Sequence, residues 1–295
     1  GALGDMIAGS PAIKALKILY PNSEITLLSN QLMKQIIPEN TLVNRIIVYP
    51  DYNSFGKLIF TLRKEKFDLA VNLRWTSEKC ALITRLSGAK YRAGSGPQKF
   101  LWCYNRLAKV PVSLYHEVDR NLDIIKGIDK RAQYSGHYVH ISEENNKTAV
   151  DYLKALNIDQ EKLIGIHPGA SSVRKAWLPE YFIEIGRRAV EEFNAKIIVT
   201  WGKNEFELAK KVVGGIGEMA VLSFETKNIG ELAALIKKCK MFFSGCTGPM
   251  NVAVGVDTPT VALLGSTAPE DWSPYGEIHR YYKSPLVLDT YTDEE

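Results

Sequence analysis

The stretch Ser244 to Gly276, SGCTGPMNVAVGVDTPTVALLGSTAPEDWSPYG, sets a helix start between two apolar strands. Such a start can hold a phosphorylated ligand without a metal. Met241, Phe242 and Phe243 read as a short buried strand, and Thr247 and Gly248 can cap a helix whose first position is Pro249. The free N–H groups of that helix would point out of the strand's carboxyl end, where the helix dipole favours an anion. A second motif, HPGASSVRKAW from His167 to Trp177, also follows a strand. Its loop from Gly169 to Ser172 supplies N–H and hydroxyl groups at the same sheet edge, which is where open α/β sheets bind ligands. Lys175 would bring a positive charge to a diphosphate, Arg174 a second, and Trp177 would anchor the loop by packing.

Parallel strands with helical crossovers must position these groups. Ile13–Leu19 has helical spacing, with Pro11 just inside its start and Pro21 beyond its end. Strands at Ile25–Leu28, Ile46–Tyr49 and Leu69–Leu73 alternate with helices near Gln31–Ile37 and Phe55–Glu65. Lys79–Leu86 reads as a helix ended by Gly88, Lys90–Ala93 as a strand, and Gly94–Leu114 as an aromatic and basic loop. After a helix at Glu117–Ile125 and another ending near Leu156, a second βα series begins at Leu163–Ile166 and runs through Ile229–Lys237. This alternation predicts two Rossmann-like α/β domains in tandem, over 1–155 and 156–295.

The 295 residues, 45% hydrophobic and 24% charged, suit a globular chain of two domains. No stretch reaches the roughly 20 apolar residues of a membrane span, and no signal-peptide core is present. The four cysteines make no CxxC pair, the five histidines no HExxH, and no Asp-x-Asp occurs, so nothing argues for a catalytic metal and a reducing cytoplasm is the expected setting. The net charge of +4 is uneven. Residues 1–150 carry 21 Lys and Arg against 13 Asp and Glu, a balance of +8, which fits either an acidic partner or a solvated lysine-rich surface.

In order and spacing, four segments resemble glycosyltransferase family 9, the lipopolysaccharide heptosyltransferases. They are GALGDMIAGSPAIKALKILYPNSEITLL, FDLAVNLRWTSEKCALITRLSGAKYRAG, HPGASSVRKAWLPEYF and the Ser244–Gly276 stretch, and together they span nearly the whole chain. The resemblance implies the GT-B fold, two Rossmann-like domains with parallel sheets facing a central cleft, with acceptor binding in the N-terminal domain and nucleotide-sugar binding in the C-terminal one. It also implies a strand ahead of Gly1. Asp5 matches the family's general base, which would take the acceptor hydroxyl's proton during attack on the anomeric carbon. On its own, Asp5 reads first as a helix N-terminal acid stabilised by the dipole.

By the same resemblance one of Glu205 and Glu207, after the strand ending at Thr200, hydrogen-bonds the nucleotide ribose. Spacing does not choose between them. The donor-binding set is then Ser171, Ser172, Lys175, Glu205, Glu207, Cys246, Thr247, Gly248, Pro249 and Asn251. Lys79, Arg85 and Arg92 are acceptor candidates. Two positions depart from the family, which commonly carries aspartate at Cys246 and histidine at Asn251. A neutral thiol accepts sugar hydroxyls poorly, so the departure bears on the donor sugar; a packed apolar role for Cys246 is the alternative.

The function this implies is inverting, metal-independent glycosyl transfer from a nucleotide-activated sugar, ADP-heptose by resemblance, to a lipopolysaccharide core or related glycan. No cofactor beyond that co-substrate and no nucleic acid is expected. The place of work would be the cytoplasm, peripheral to the anionic inner face of the cytoplasmic membrane. Two alternatives are a non-catalytic sugar-nucleotide or glycan-binding paralogue, and another GT-B-like enzyme such as a sugar-nucleotide epimerase. A dehydrogenase is disfavoured because no G-x-G-x-x-G follows a strand.

Overall fold

The computed structural model describes residues 3–49, 55–96, 98–108, 115–170 and 175–284. The chain divides into two compact units: Ala8–Ser135 together with Gly1, and Gly136–Glu295 together with Ala2–Ile7. The break therefore falls inside the first helix, α1 (Leu3–Leu19), which starts well ahead of the expected start beside Pro11 and carries that proline in its interior. An interior proline costs a helix about 3 kcal/mol. Burial of Ile7 and Ile13, worth about 1.5–3 kcal/mol each, with Ala8, Ala12 and Ala15 beside them, outweighs that cost.

In the first unit β1 (Thr26–Ser29) and β2 (Arg45–Val48) form one parallel pair, with the single-turn α2 (Met33–Ile36) between them. After α3 (Phe55–Lys64), β3 (Leu69–Val71), α4 (Glu78–Leu86), β4 (Tyr91–Gly94) and β5 (Arg106–Leu107) follow, and the strands make a three-stranded parallel sheet. Leu58 and Leu62 of α3 and Ile83 of α4 are buried against Leu28, Ile47 and Phe67. Their spacing in α3 is the i, i+4 of an apolar helical stripe. Ser77 caps α4 by accepting the Cys80 N–H at 3.2 Å. The expected loop at Gly94–Leu114 instead holds a 3₁₀ turn, Gln98–Cys103, and β5, which is two exposed residues and so has no periodicity to read. The unit closes with α5 (Glu117–Lys126), capped by His116.

The second unit opens with α6 (Glu143–Ala155). Its Ala149 and Leu153 are fully buried against Leu163, Ile198 and Leu235. A break at 155 would strip this helix from its core, and the observed break lies at Ser135–Gly136. Then come β6 (Leu163–His167), α7 (Pro179–Phe193), β7 (Lys196–Val199), α8 (Phe206–Ile216), β8 (Ala220–Leu222) and α9 (Ile229–Lys237). The second half is β9 (Met241–Gly245), α10 (Gly248–Gly255), β10 (Thr260–Leu264), the single-turn α11 (Pro269–Trp272) and β11 (Arg280–Lys283). All six strands are parallel, in the order β11-β10-β9-β6-β7-β8.

The central strands are mainly apolar because both faces are covered. Ile197 and Val199 of β7 join Phe182 and Ala189 of α7 and Ala209 and Val212 of α8, while Ile198 between them turns to α6 and α9. Beginning at β6, the chain winds outward through β7 and β8, then returns to the other side of β6 with β9. That reversal makes the carboxyl ends of β6 and β9 a topological switch point, the place where such sheets open a crevice. Among the described residues no helix is long and apolar enough to cross a membrane.

Candidate functional site

A cleft of ≈ 320 Å³ lies at that switch point. It is lined by His167 at the end of β6 and Ala170 after it, Trp201, Gly202 and Glu205 after β7, Thr226 ahead of α9 and Leu232 within it, and Thr247, Gly248 and Pro249 at the start of α10. His167 and Ser244 are register partners at the ends of β6 and β9, so the two loops leave the sheet side by side. The two motifs therefore meet at one edge.

Thr247 is the N-cap of α10 in extended conformation, and its side chain makes no cap bond. Its hydroxyl turns instead to Ser244 Oγ at 3.0 Å. The capping side chain thus takes none of the N–H groups of the first turn, the condition in which a helix start receives an anion. Gly248 begins the helix and Pro249 is its second residue, one position from expectation.

Glu205 and Glu207 separate cleanly. Glu205 stands at the N-cap of α8, and its Oε2 accepts the Gly202 N–H at 2.6 Å inside the cleft. Glu207 lies in the exposed first turn of α8 and is absent from the lining. A Cβ on Gly169 would overlap the Glu205 carboxylate, so the bare Cα of Gly169 makes the room that the acid occupies. On the other side His167 Nε2 lies 3.5 Å from Glu205 Oε2, and His167 Nδ1 lies 3.1 Å from Thr200 Oγ1. Burial pushes the His167 imidazole below its ordinary value, against the opposing pull of Glu205 and the Thr200 backbone.

Cys246 is packed: it joins Met250, Ala262 and Leu264, with its Sγ 3.8 Å from the Trp272 carbonyl. Burial pushes its thiol up, partly offset by Thr267 and by the nearby charge of Lys175. The Lys175 carbonyl lies 3.4 Å from where a Cβ on Gly245 would be, which brings the end of the HPG loop back onto β9. Trp177 packs on Tyr181 and Phe182 with ring centroids 5.1 and 5.8 Å away. Ser171, Ser172 and Arg174 lie outside the described residues.

Asn251 donates its Nδ2 to the Thr247 carbonyl at 2.9 Å, one turn back along α10. A Cβ on Gly4 would begin 3.0 Å from that Nδ2 and 3.3 Å from the Trp272 ring, and one on Gly248 would begin 2.9 Å from Leu3 Cδ2. The first turn of α1, which carries the half-buried Asp5, is therefore set against the start of α10. Local pattern could not reveal this, since Asp5 and Asn251 stand at opposite ends of the chain.

In the first unit Lys79 holds its Nζ 4.3 Å from the Tyr49 ring centre. Arg85 is exposed in the last turn of α4. Arg92 spends its guanidinium on the main chain, donating to Cys103 O at 3.0 Å and Ala89 O at 2.9 Å. Among the cleft residues His167, Trp201, Thr226 and Leu232 carry no signal of their own as site residues; His167 and Trp201 at least follow strands β6 and β7, and strand ends are where such signals belong.

A parallel sheet wound both ways from β6, with an open helix start and an acid at its switch point, defines a unit of the Rossmann kind. Solved structures share the fold of the chain. The glycosyl transferase family 9 structure from Veillonella parvula superposes with a TM-score of 0.84 at 22% identity, covering 96% of this chain and 84% of that one. The E. coli heptosyltransferase WaaC with ADP superposes with a TM-score of 0.76 at 18% identity, covering 97% and 91%. The architecture is GT-B. The profile of glycosyltransferase family 9 (heptosyltransferase) matches residues 55–286, and the chain belongs to that family. It is a glycosyltransferase. Among curated relatives, lipopolysaccharide heptosyltransferase 3 of E. coli K12 is 27% identical over 290 residues, covering 93% of this chain and 83% of the relative.

Proposed function

We propose that the chain moves a heptose from ADP-heptose to a lipopolysaccharide core or related glycan, with inversion at the anomeric carbon and without a metal. The observation that carries this reading is the meeting of an open helix start, Thr247–Gly248–Pro249, with the Glu205 carboxylate in one cleft. A diphosphate suits the first and a ribose diol the second. The names of the relatives, heptosyltransferases and one solved with ADP, supply the sugar and the base.

In the scheme, the Asp5 carboxylate takes the proton of an acceptor hydroxyl as its oxygen attacks the anomeric carbon. The bond from that carbon to the diphosphate breaks, and the electron pair leaves with ADP. Preorganised donors at the start of α10, the charge of Lys175 and the hydroxyls of Ser171 and Ser172 would hold the added negative charge. Cys246 sits under this region as a packed neutral group, and Asn251 splints the helix start, so both serve the donor side indirectly. On the first unit, the acceptor candidates are Arg85, which is exposed, and Lys79 beside Tyr49, with Arg92 as a support. The excess positive charge of residues 1–150 favours work at the anionic inner face of the cytoplasmic membrane.

Incubating the full chain with ADP-heptose and a core acceptor should release ADP. Asp5→Asn should abolish release while leaving ADP binding near the original value. Turnover that survives this substitution would remove Asp5 as the base.

A further inference from the structure

We infer that His167 is a positioning residue for the Glu205 carboxylate, turning one carboxylate oxygen inward so that the other is presented to a ribose hydroxyl of the bound nucleotide; this rests on the nucleotide reading above. Three observations converge on Glu205. Its Oε2 takes the Gly202 N–H at 2.6 Å, and the same oxygen faces His167 Nε2 at 3.5 Å. Gly169 lacks the Cβ that would expel the carboxylate. Both anchors act on Oε2, which leaves Oε1 as the oxygen with acceptor capacity to offer.

The ring itself is held in place. His167 is buried at the end of β6, with Thr200 Oγ1 3.1 Å from Nδ1. A carboxylate oxygen beside Nε2 is favourable only when Nε2 carries the hydrogen, because two lone pairs would otherwise face each other. A neutral ring with its hydrogen on Nε2 needs a donor at Nδ1; the Thr200 hydroxyl, 3.1 Å from Nδ1 and 3.3 Å from the Ile166 carbonyl, serves as that donor when its hydrogen turns from the carbonyl to the ring. The chain of polar contacts then runs from Thr200 Oγ1 through the imidazole to Glu205 Oε2. Such an orienting contact acts on binding of the sugar hydroxyl and not on the folding of the cleft alone.

The test is binding of ADP, 2′-deoxy-ADP and 3′-deoxy-ADP to the full chain by calorimetry. The original protein should prefer ADP to at least one deoxy analogue by roughly tenfold, the worth of one charge-assisted hydrogen bond. In His167→Leu that preference should collapse to the level of Glu205→Gln. His167→Gln, whose amide can still donate to the carboxylate, should restore most of it. Thr200→Val, of nearly the same shape as threonine, should weaken the preference in the same direction and decides the matter if His167→Leu does not fold. Full preference retained in Thr200→Val and His167→Leu would overturn the positioning role while ADP binding itself leaves the nucleotide reading standing. Absence of ADP binding to the original protein would overturn both.

Discussion

A side chain on Gly4 would begin 3.0 Å from the Asn251 amide, so the first turn of α1 and the start of α10 are fitted closely to one another at this glycine. Gly4→Ala should push the first turn of α1 away by a few tenths of an ångström. With Asp5 as the base, kcat should fall by about tenfold, because small misplacements of a reacting group are costly, while the ADP dissociation constant changes little. Steady-state kinetics paired with calorimetry separates the two. An equal loss in both would mean that the substitution disturbs α10 and not Asp5.

Gly169→Ala should act in the opposite way. The new methyl group takes the space of the Glu205 carboxylate, which must swing out and give up its bond from the Gly202 N–H. ADP affinity should drop by roughly tenfold or more for the lost charged hydrogen bond. The comparison with Glu205→Gln is the check, since the two losses should not add when combined.

Cys246→Ala should leave ADP binding within about twofold and lower stability by about 1 kcal/mol, as expected for trimming a small group packed on Met250, Ala262 and Leu264. Denaturant titration reads the second effect. Cys246→Asp should cost more, because burial that already disfavours the thiolate disfavours a carboxylate, unless the nearby Lys175 pairs with it.

Arg92→Ala should destabilise the first unit by about 1–3 kcal/mol, since it orphans the Cys103 and Ala89 carbonyls. Arg92→Lys should not rescue it, because an ammonium cannot reproduce the two-pronged geometry. Loss of acceptor use with unchanged stability would instead mark Arg92 as a ligand contact.

Acid should weaken the second unit early. Burial holds His167 and His279 below their ordinary value of 6.5, so below that pH the unfolded chain takes up protons that the folded one refuses. Stability then falls as pH drops from about 6.5 toward the folded values, by up to about 1.4 kcal/mol per pH unit for each ring, and the effect vanishes above 6.5 where both states are neutral. Melting temperatures between pH 7.5 and 5.5 should show this slope, and His279→Gln should reduce it, leaving the share that His167 contributes.

The alternation of helices and strands, the helix start at Thr247–Gly248–Pro249 and the HPG loop were legible in the sequence because each is a local matter of spacing, capping and turn chemistry. So was the covering of both sheet faces, since Lys196–Val199 and Thr260–Leu264 read as nearly unbroken apolar runs. Tertiary structure alone decided the rest. Glu205 and Glu207 are two residues apart and alike in type; only the fold puts one against Gly202, Gly169 and His167 and the other on an exposed turn. The burial of Ile7 and Ile13 carried α1 through Pro11, a cost that local propensity would have refused. Arg92 and Arg85 look equally available until the backbone carbonyls of Cys103 and Ala89 claim the former. Asp5 joined the second unit through contacts between residues more than two hundred positions apart, and no local pattern encodes a meeting of that kind.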